Sequence, residues 1–369
     1  MNFFMRILAS NYNYYKGIEG KLYLIGSILL CLLINCKFIL DVVFELETPL
    51  LRFGVLLLTL FIILLRLTRY NLFFLLLLCG VLCLCPYSMS AVLIILVSYS
   101  LRKMDLSCFA IVNLSVSLIL LLFIYVSTLD GSLYIMRECY VTQLGELRYR
   151  SDFGFGQSNR FSLYVYGVLM YLYIVLHRKK DFLFLLIATY VTLTVYIYTD
   201  SKTFLAAMVC FFTFYIFLKI NLLTKPFFRF LLLVTPALLI ALTWYLCYFE
   251  YYEIVNVFLS GRLSFFRSVL DRISWIHYLI GTELMSEGLL DSSYLHLVLD
   301  FGILFVLVFY YLYYKCIKFH YDEILGYMPI VFSVLFYGFS ESLFVHLTNA
   351  TSLMIWIIMF SYIKVKWIK

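Results

Sequence analysis

Long apolar runs separated by short polar stretches dominate this chain, and nearly every run has the length of a helix rather than a strand. About 20 apolar residues in helical form cover the ~30 Å hydrocarbon layer of a bilayer. The runs predict helices over 22–43, 53–66, 71–86, 88–102, 107–127, 160–177, 182–199, 203–220, 229–249, 293–314, 327–344 and 350–365. The third and fourth are short and meet at Pro86, which predicts a tilted pair or a hairpin. Two stretches, 128–159 and 250–292, lack the long apolar pattern and are expected to be long loops. Long loops on a compact scaffold are disproportionately functional. The expected architecture is all-α: a polytopic transmembrane bundle of about twelve helices forming one integral membrane domain over 1–369, with no soluble second domain and no internal repeat.

Composition sharpens this picture. Hydrophobic residues make up 64% of the chain and charged residues 13%, more apolar surface than a soluble core can bury. Arg6, Lys16 and Lys21 precede the first apolar run and no small-residue cleavage site follows it, so a retained anchor is expected rather than a cleavable signal. The ten cysteines lie mostly in apolar runs. Cys79, Cys83 and Cys85 are the densest group, but no other metal ligand accompanies them, and they read as small hydrophobes. The net charge of +7 does not point to nucleic acid, because most of the excess lies in short loops between apolar runs.

Charge also orients the chain. With the N-terminus inside, inner loops and termini receive Arg6, Lys16, Lys21, Arg66, Arg69, Arg102, Lys103, Arg178, Lys179, Lys180, Lys219, Lys225, Arg229, Lys315, Lys318, Lys364, Lys366 and Lys369, eighteen residues. The outer side receives Arg52, Arg137, Arg148, Arg150, Arg160, Lys202, Arg262, Arg267 and Arg272, nine residues. The excess of basic residues inside predicts that both termini are cytoplasmic. Eight of the nine outer residues are Arg, whereas the inner set mixes Lys and Arg. Arginine keeps its charge at ordinary pH and offers a planar fork matched to phosphate oxygens. The bland account pairs these arginines with loop acids such as Glu138, Glu146, Asp152 and Asp271, or with lipid headgroups.

Three polar stretches sit in or beside the outer loops. The first runs Arg150-Ser151-Asp152-Phe153-Gly154-Phe155-Gly156-Gln157-Ser158-Asn159-Arg160, directly before an apolar run. Ser158 or Asn159 is placed to cap the following helix, whose N-terminus beside Arg160 suits an anion. The second is the turn Asp200-Ser201-Lys202, with Lys202 at the mouth of a helix. The third is Ser260-Gly261-Arg262, followed by Gly281 and then by Asp291-Ser292-Ser293-Tyr294-Leu295.

In order and spacing these stretches resemble the O-antigen polymerase and ligase superfamily, the Wzy type. The matching positions are Arg150, Phe153-Gly154-Phe155 and Gln157-Ser158-Asn159; Ser201-Lys202; Ser260-Gly261-Arg262; Gly281; Asp291 through Leu295; and Gly302-Ile303. The resemblance covers about 148–303. Two positions depart from the family pattern: Gln157-Ser158 stands where His-Pro is frequent, and Lys202 where Arg is usual. The resemblance implies a GT-C-like fold and a metal-independent glycosyltransferase, without cofactor, at the outer face of a bacterial inner membrane. It would serve lipopolysaccharide biosynthesis. The donor would be a glycan on undecaprenyl pyrophosphate, the acceptor another lipid-linked repeat unit, and the partners a flippase and a chain-length regulator, with no nucleic acid.

The residues fit that chemistry. A pyrophosphate leaving group gains negative charge as the glycosidic bond breaks, and fixed guanidinium groups stabilise that charge. Arg150 and Arg262 are the first candidates, with Arg148, Asn159, Arg160 and Lys202 as donor-binding support. The acceptor hydroxyl needs a base. Asp291 and His296 are carried as catalytic candidates, beside Asp152, Asp200, Glu250, Glu253, His277, Asp300, Glu341 and Asn349; the sequence alone does not choose among them. His296 and Asp300, four apart, are expected to share one helix face, with Asp300 about 10 Å into the helix. Tyr294, with Tyr251 and Tyr252, is a candidate to stack on a sugar ring. The competing enzyme readings are an O-antigen ligase and a capsule or exopolysaccharide polymerase. A lipid-linked oligosaccharide flippase is the competing class, and it would call for repeats and mid-bilayer charges that the pattern does not show.

Overall fold

The computed structural model describes residues 18–46, 48–65, 69–84, 89–135, 137–141, 147–177, 180–248, 262–282, 292–343 and 350–362. The chain is a multi-pass, helical membrane protein. Seven of its described helical segments are long and apolar enough to cross a bilayer: 18–42, 106–129, 158–176, 181–199, 202–219, 226–248 and 302–337. The chain divides into two compact units. One comprises 1–67, 96–208 and 348–357, the other 68–95, 209–347 and 358–369.

The first unit holds α1 (Ile18–Val42), α2 (Pro49–Leu64), the end of α4 (Met89–Leu101, after α3, Arg69–Leu84, of the other unit), α5 (Leu106–Leu129), a hairpin of β1 (Arg137–Val141) and β2 (Leu147–Ser151), α6 (Ser158–Leu176), α7 (Asp181–Thr199) and the start of α8 (Lys202–Lys219). Asp105 caps α5 by accepting the Cys108 backbone N–H at 3.2 Å. Inside lipid there is little hydrophobic force between helices, so polar contacts and small residues align them. Asn35 of α1 donates to the Asn113 side chain of α5 at 2.8 Å, both buried. Tyr23 of α1 donates to the Ser100 carbonyl at 2.9 Å and accepts from the Lys103 N–H at 3.1 Å. Gly26 lets α1 approach Ile62 of α2: a Cβ there would stand 3.2 Å from its side chain.

The second unit holds α3, the first part of α4, the rest of α8, α9 (Pro226–Tyr248), α10 (Arg262–Leu270), α11 (Trp275–Ile280), α12 (Ser293–Leu299), α13 (Gly302–Ile324), α14 (Met328–Tyr337) and the end of α15 (Ala350–Tyr362). Pro236 lies inside α9. A proline there has no N–H for the carbonyl four residues back, and an unsatisfied carbonyl in hydrocarbon costs several kcal/mol. That carbonyl belongs to Leu232, and it accepts the Tyr313 hydroxyl of α13 at 2.6 Å. Tyr310, one turn earlier, donates to Leu233 O at 3.0 Å. The proline break is thereby converted into the contact that joins α9 to α13.

Three expectations need correction. The predicted helix over 293–314 is two helices, broken at Asp300 and Phe301. The short connection expected after 314 is helical, since α13 runs on to Ile324. The predicted loops carry secondary structure of their own: the β-hairpin in 128–159, and α10 and α11 in 250–292. Leu263, Phe266, Val269 and Leu270 form the buried face of α10 and pack on Cys247, Leu295 and Leu299. Their spacing at i, i+3, i+6 and i+7 is the helical signal in that loop.

Candidate functional site

In the first unit the polar stretch 150–160 folds into a tight turn anchored by one aromatic. Asp152, buried, accepts the Gly154 N–H at 3.1 Å through its side chain and the Phe155 N–H at 3.0 Å through its carbonyl. Phe153 and Gly154 take left-handed backbone, φ 50° and 83°, which only glycine adopts without cost. The reversal drives Phe155 into a cluster with Phe38, Phe161 and Tyr164. Apolar burial at Phe155 thus fixes the approach of β2 and the start of α6.

β2 and the α7–α8 turn meet beside this anchor. Arg150 Nη2 lies 3.8 Å from Asp200 Oδ2, with about a sixth of each side chain exposed (19% and 14%). Asp200 ends α7 in left-handed backbone, φ 46°. Ser162 of α6 donates to the Thr199 hydroxyl at 3.0 Å, which ties α6 to the same turn. Asn159 and Arg160, partly buried, occupy the first turn of α6, and Lys202 the first residue of α8. Arg148 lies on β2 opposite Tyr140, and Glu138 opposite Arg150. The cap expected at Ser158 or Asn159 is displaced: Gln157 holds the N-cap position with no side-chain cap bond.

In the second unit the centre is Arg262, the first residue of α10. Its guanidinium donates to the Ser340 carbonyl and to Glu341 Oε1 at 3.2 Å, with side chains 16% and 11% exposed. The turn 338–343 that carries these partners is also bonded to α12. Ser293 donates its N–H to Gly338 O at 2.9 Å and its hydroxyl to Glu341 O at 2.6 Å, and it accepts the Leu343 N–H at 2.8 Å. One turn along α12, His296 Nδ1 is 2.5 Å from Asp300 Oδ2, and both side chains are buried. Asp300 lies at the helix break, where it is the C-cap of α12, and not inside a continuous helix as expected.

Two glycines make that break. Gly281 and Gly302 both have positive φ, 86° and 81°. A Cβ on Gly281 would stand 2.1 Å from Asp300 O, and one on Gly302 would stand 2.5 Å from Leu279 O. The end of α11 and the α12–α13 junction therefore touch backbone to backbone, and Thr282 N–H donates to Leu299 O at 2.8 Å.

The candidates sort accordingly. Arg150 lies within ion-pair distance of Asp200, and Arg262 is held by Glu341. Arg267 of α10 does pair with Asp271, the residue after its end, at 3.8 Å. Tyr294 is fully buried and donates to Leu335 O at 2.8 Å. His277 is bonded to Ser274 on the exposed α11. Asp291, Glu250, Glu253, Tyr251, Tyr252, Ser260, Gly261 and Asn349 lie outside the described residues. Sequence reasoning carried Glu341 as a possible base and missed its pairing with Arg262; the available signal was a lone acid in an otherwise apolar stretch. Comparison with family models, curated proteins and solved structures returns no match.

Proposed function

We propose that the chain is a polymerase of lipid-linked oligosaccharide repeat units. In this reading it moves a glycan from undecaprenyl pyrophosphate to the non-reducing end of another repeat unit, at the outer face of a bacterial inner membrane. The observation that carries the reading is the setting of Arg262: a partly buried guanidinium clamped by Glu341 and a backbone carbonyl, in a unit built from apolar helices. A charge withdrawn from water is expensive unless it is paired, as this one is. A carboxylate clamp holds the guanidinium in one place, so little reorganisation is needed as charge develops on a leaving pyrophosphate. Arg150, paired with Asp200 at 3.8 Å, is the second candidate, in the first unit.

The finer parts of the proposal follow from the charge pattern and the family resemblance. The bundle crosses the membrane about twelve times in a GT-C-like arrangement, with both termini cytoplasmic. The lipid tail of the donor stays in the bilayer. No cofactor takes part, and a flippase and a chain-length regulator are the working partners.

Purified protein incubated with an undecaprenyl-pyrophosphate repeat unit, without added metal, is expected to form oligomers. Arg262→Ala and Arg150→Ala are each expected to slow their formation by about 100-fold or more. Normal oligomer formation by both variants would overturn the pyrophosphate role.

A further inference from the structure

A buried His–Asp pair lies in the same unit as Arg262. We infer that His296 takes the proton of the acceptor sugar hydroxyl, that Asp300 is its positioning residue, and that Ser292 helps hold the hydroxyl; the inference rests on the glycosyl-transfer reading above. The His296 and Asp300 side chains are 7% and 4% exposed and meet at 2.5 Å through Nδ1 and Oδ2. A carboxylate accepting from Nδ1–H fixes the tautomer and presents Nε2 as the basic nitrogen. Two further oxygens, one at each end of α12, are buried with no hydrogen-bond partner among the described residues: Ser292 Oγ at the N-cap and Asp300 Oδ1 at the C-cap. A native interior rarely leaves such atoms unsatisfied, and a site that receives a polar ligand is one reason for it. Ser292 precedes His296 by four residues, so the two lie about one helical turn apart.

The same turn links this pair to the cation. Ser293 is bonded to the backbone of Glu341, whose carboxylate holds Arg262. The step balances. The acceptor hydroxyl proton moves to His296 Nε2 while its oxygen bonds to the donor's anomeric carbon. The bond from that carbon to the pyrophosphate oxygen breaks, and its electron pair leaves with the pyrophosphate, opposite Arg262. Backbone contact at Gly281 and Gly302 holds Asp300 at the end of α12, which explains why the helix breaks there.

The test uses the full chain in lipid nanodiscs with the undecaprenyl-pyrophosphate repeat unit. His296→Gln is expected to lower kcat by about 100-fold or more with KM nearly unchanged. Asp300→Asn should lower kcat by about 10-fold or more, and Asp300→Glu should recover part of that loss. A structural role would instead lower the yield of folded protein and move the three variants together. An independent readout is nitrogen NMR of labelled histidine, with His296 assigned from the His296→Gln spectrum among the five histidines. The wild type should show the Nδ1-protonated tautomer, and Asp300→Asn should lose it. Active wild type with an unchanged kcat in His296→Gln overturns the base role alone. A wild type that forms no oligomers overturns the polymerase reading, while the spectrum still decides whether Asp300 orients His296.

Discussion

At the scale of single residues, the arginines of the stretch 250–292 differ by their partners. Arg267 and Asp271 face each other across one turn of α10 at 3.8 Å, with Asp271 mostly exposed. Such pairs are screened and contribute about 0.5 kcal/mol or less, so Arg267→Ala should leave thermal unfolding in detergent almost unmoved. Arg262 and Glu341 are a different case, because both are largely withdrawn from water. Removing one partner of a buried pair strands the other charge and costs about 3–5 kcal/mol, whereas replacing both can be nearly neutral. Glu341→Gln alone is therefore expected to destabilise the protein, and Arg262→Met with Glu341→Gln to recover much of the loss while remaining inactive. Equal melting temperatures in the single and double variants would contradict the clamp. The bland account of the arginines and the functional one thus meet: the ion pair is real, and it supplies the rigidity that the proposed chemistry needs.

At the scale of elements, backbone groups decide where helices end and touch. Tyr313 supplies the donor that Pro236 denies to Leu232, so Tyr313→Phe should leave a buried carbonyl unsatisfied and cost about 1–3 kcal/mol, read from thermal unfolding. Gly302→Ala is expected to cost more, about 3 kcal/mol or above, because it combines positive φ with a backbone oxygen 2.5 Å from the new methyl. A Gly302→Ala protein as stable as wild type would mean that the close approach of α11 does not exist. These same features mark the limit of what the chain's pattern discloses. Apolar run length is enough to place the long helices, because one dominant force, burial in lipid, writes it into every run. The break at Asp300 depends instead on Gly281, about twenty residues away, meeting the α12–α13 junction in space. Likewise Glu341 was legible as a lone acid, but its partner Arg262 is 79 positions distant and only tertiary contact joins them.

At the scale of the whole molecule, the reading stands on orientation. The hydropathy of the seven long helices makes the chain a multi-pass membrane protein whichever way it faces. A pyrophosphate site at the outer face, however, requires the hairpin and the α7–α8 turn outside, and the turn between α8 and α9 inside. The basic residues supply the argument: Lys219, Lys225 and Arg229 cluster around the α8–α9 turn, and short basic loops stay cytoplasmic. The protein carries its own reporter, since Cys139 of β1 is an exposed free thiol. In intact cells a membrane-impermeant maleimide should label the wild-type protein, and Cys139→Ser should remove most of that labelling. In the Cys139→Ser background, Lys225→Cys, an exposed position beside the short helical turn Leu222–Thr224, should label only after the membrane is permeabilised. The reverse pattern would put Arg150 and Lys202 on the cytoplasmic side, where a lipid-linked repeat unit is assembled rather than polymerised. The outer-face polymerase reading would then fall, although every helix and every carboxylate clamp described above would stand.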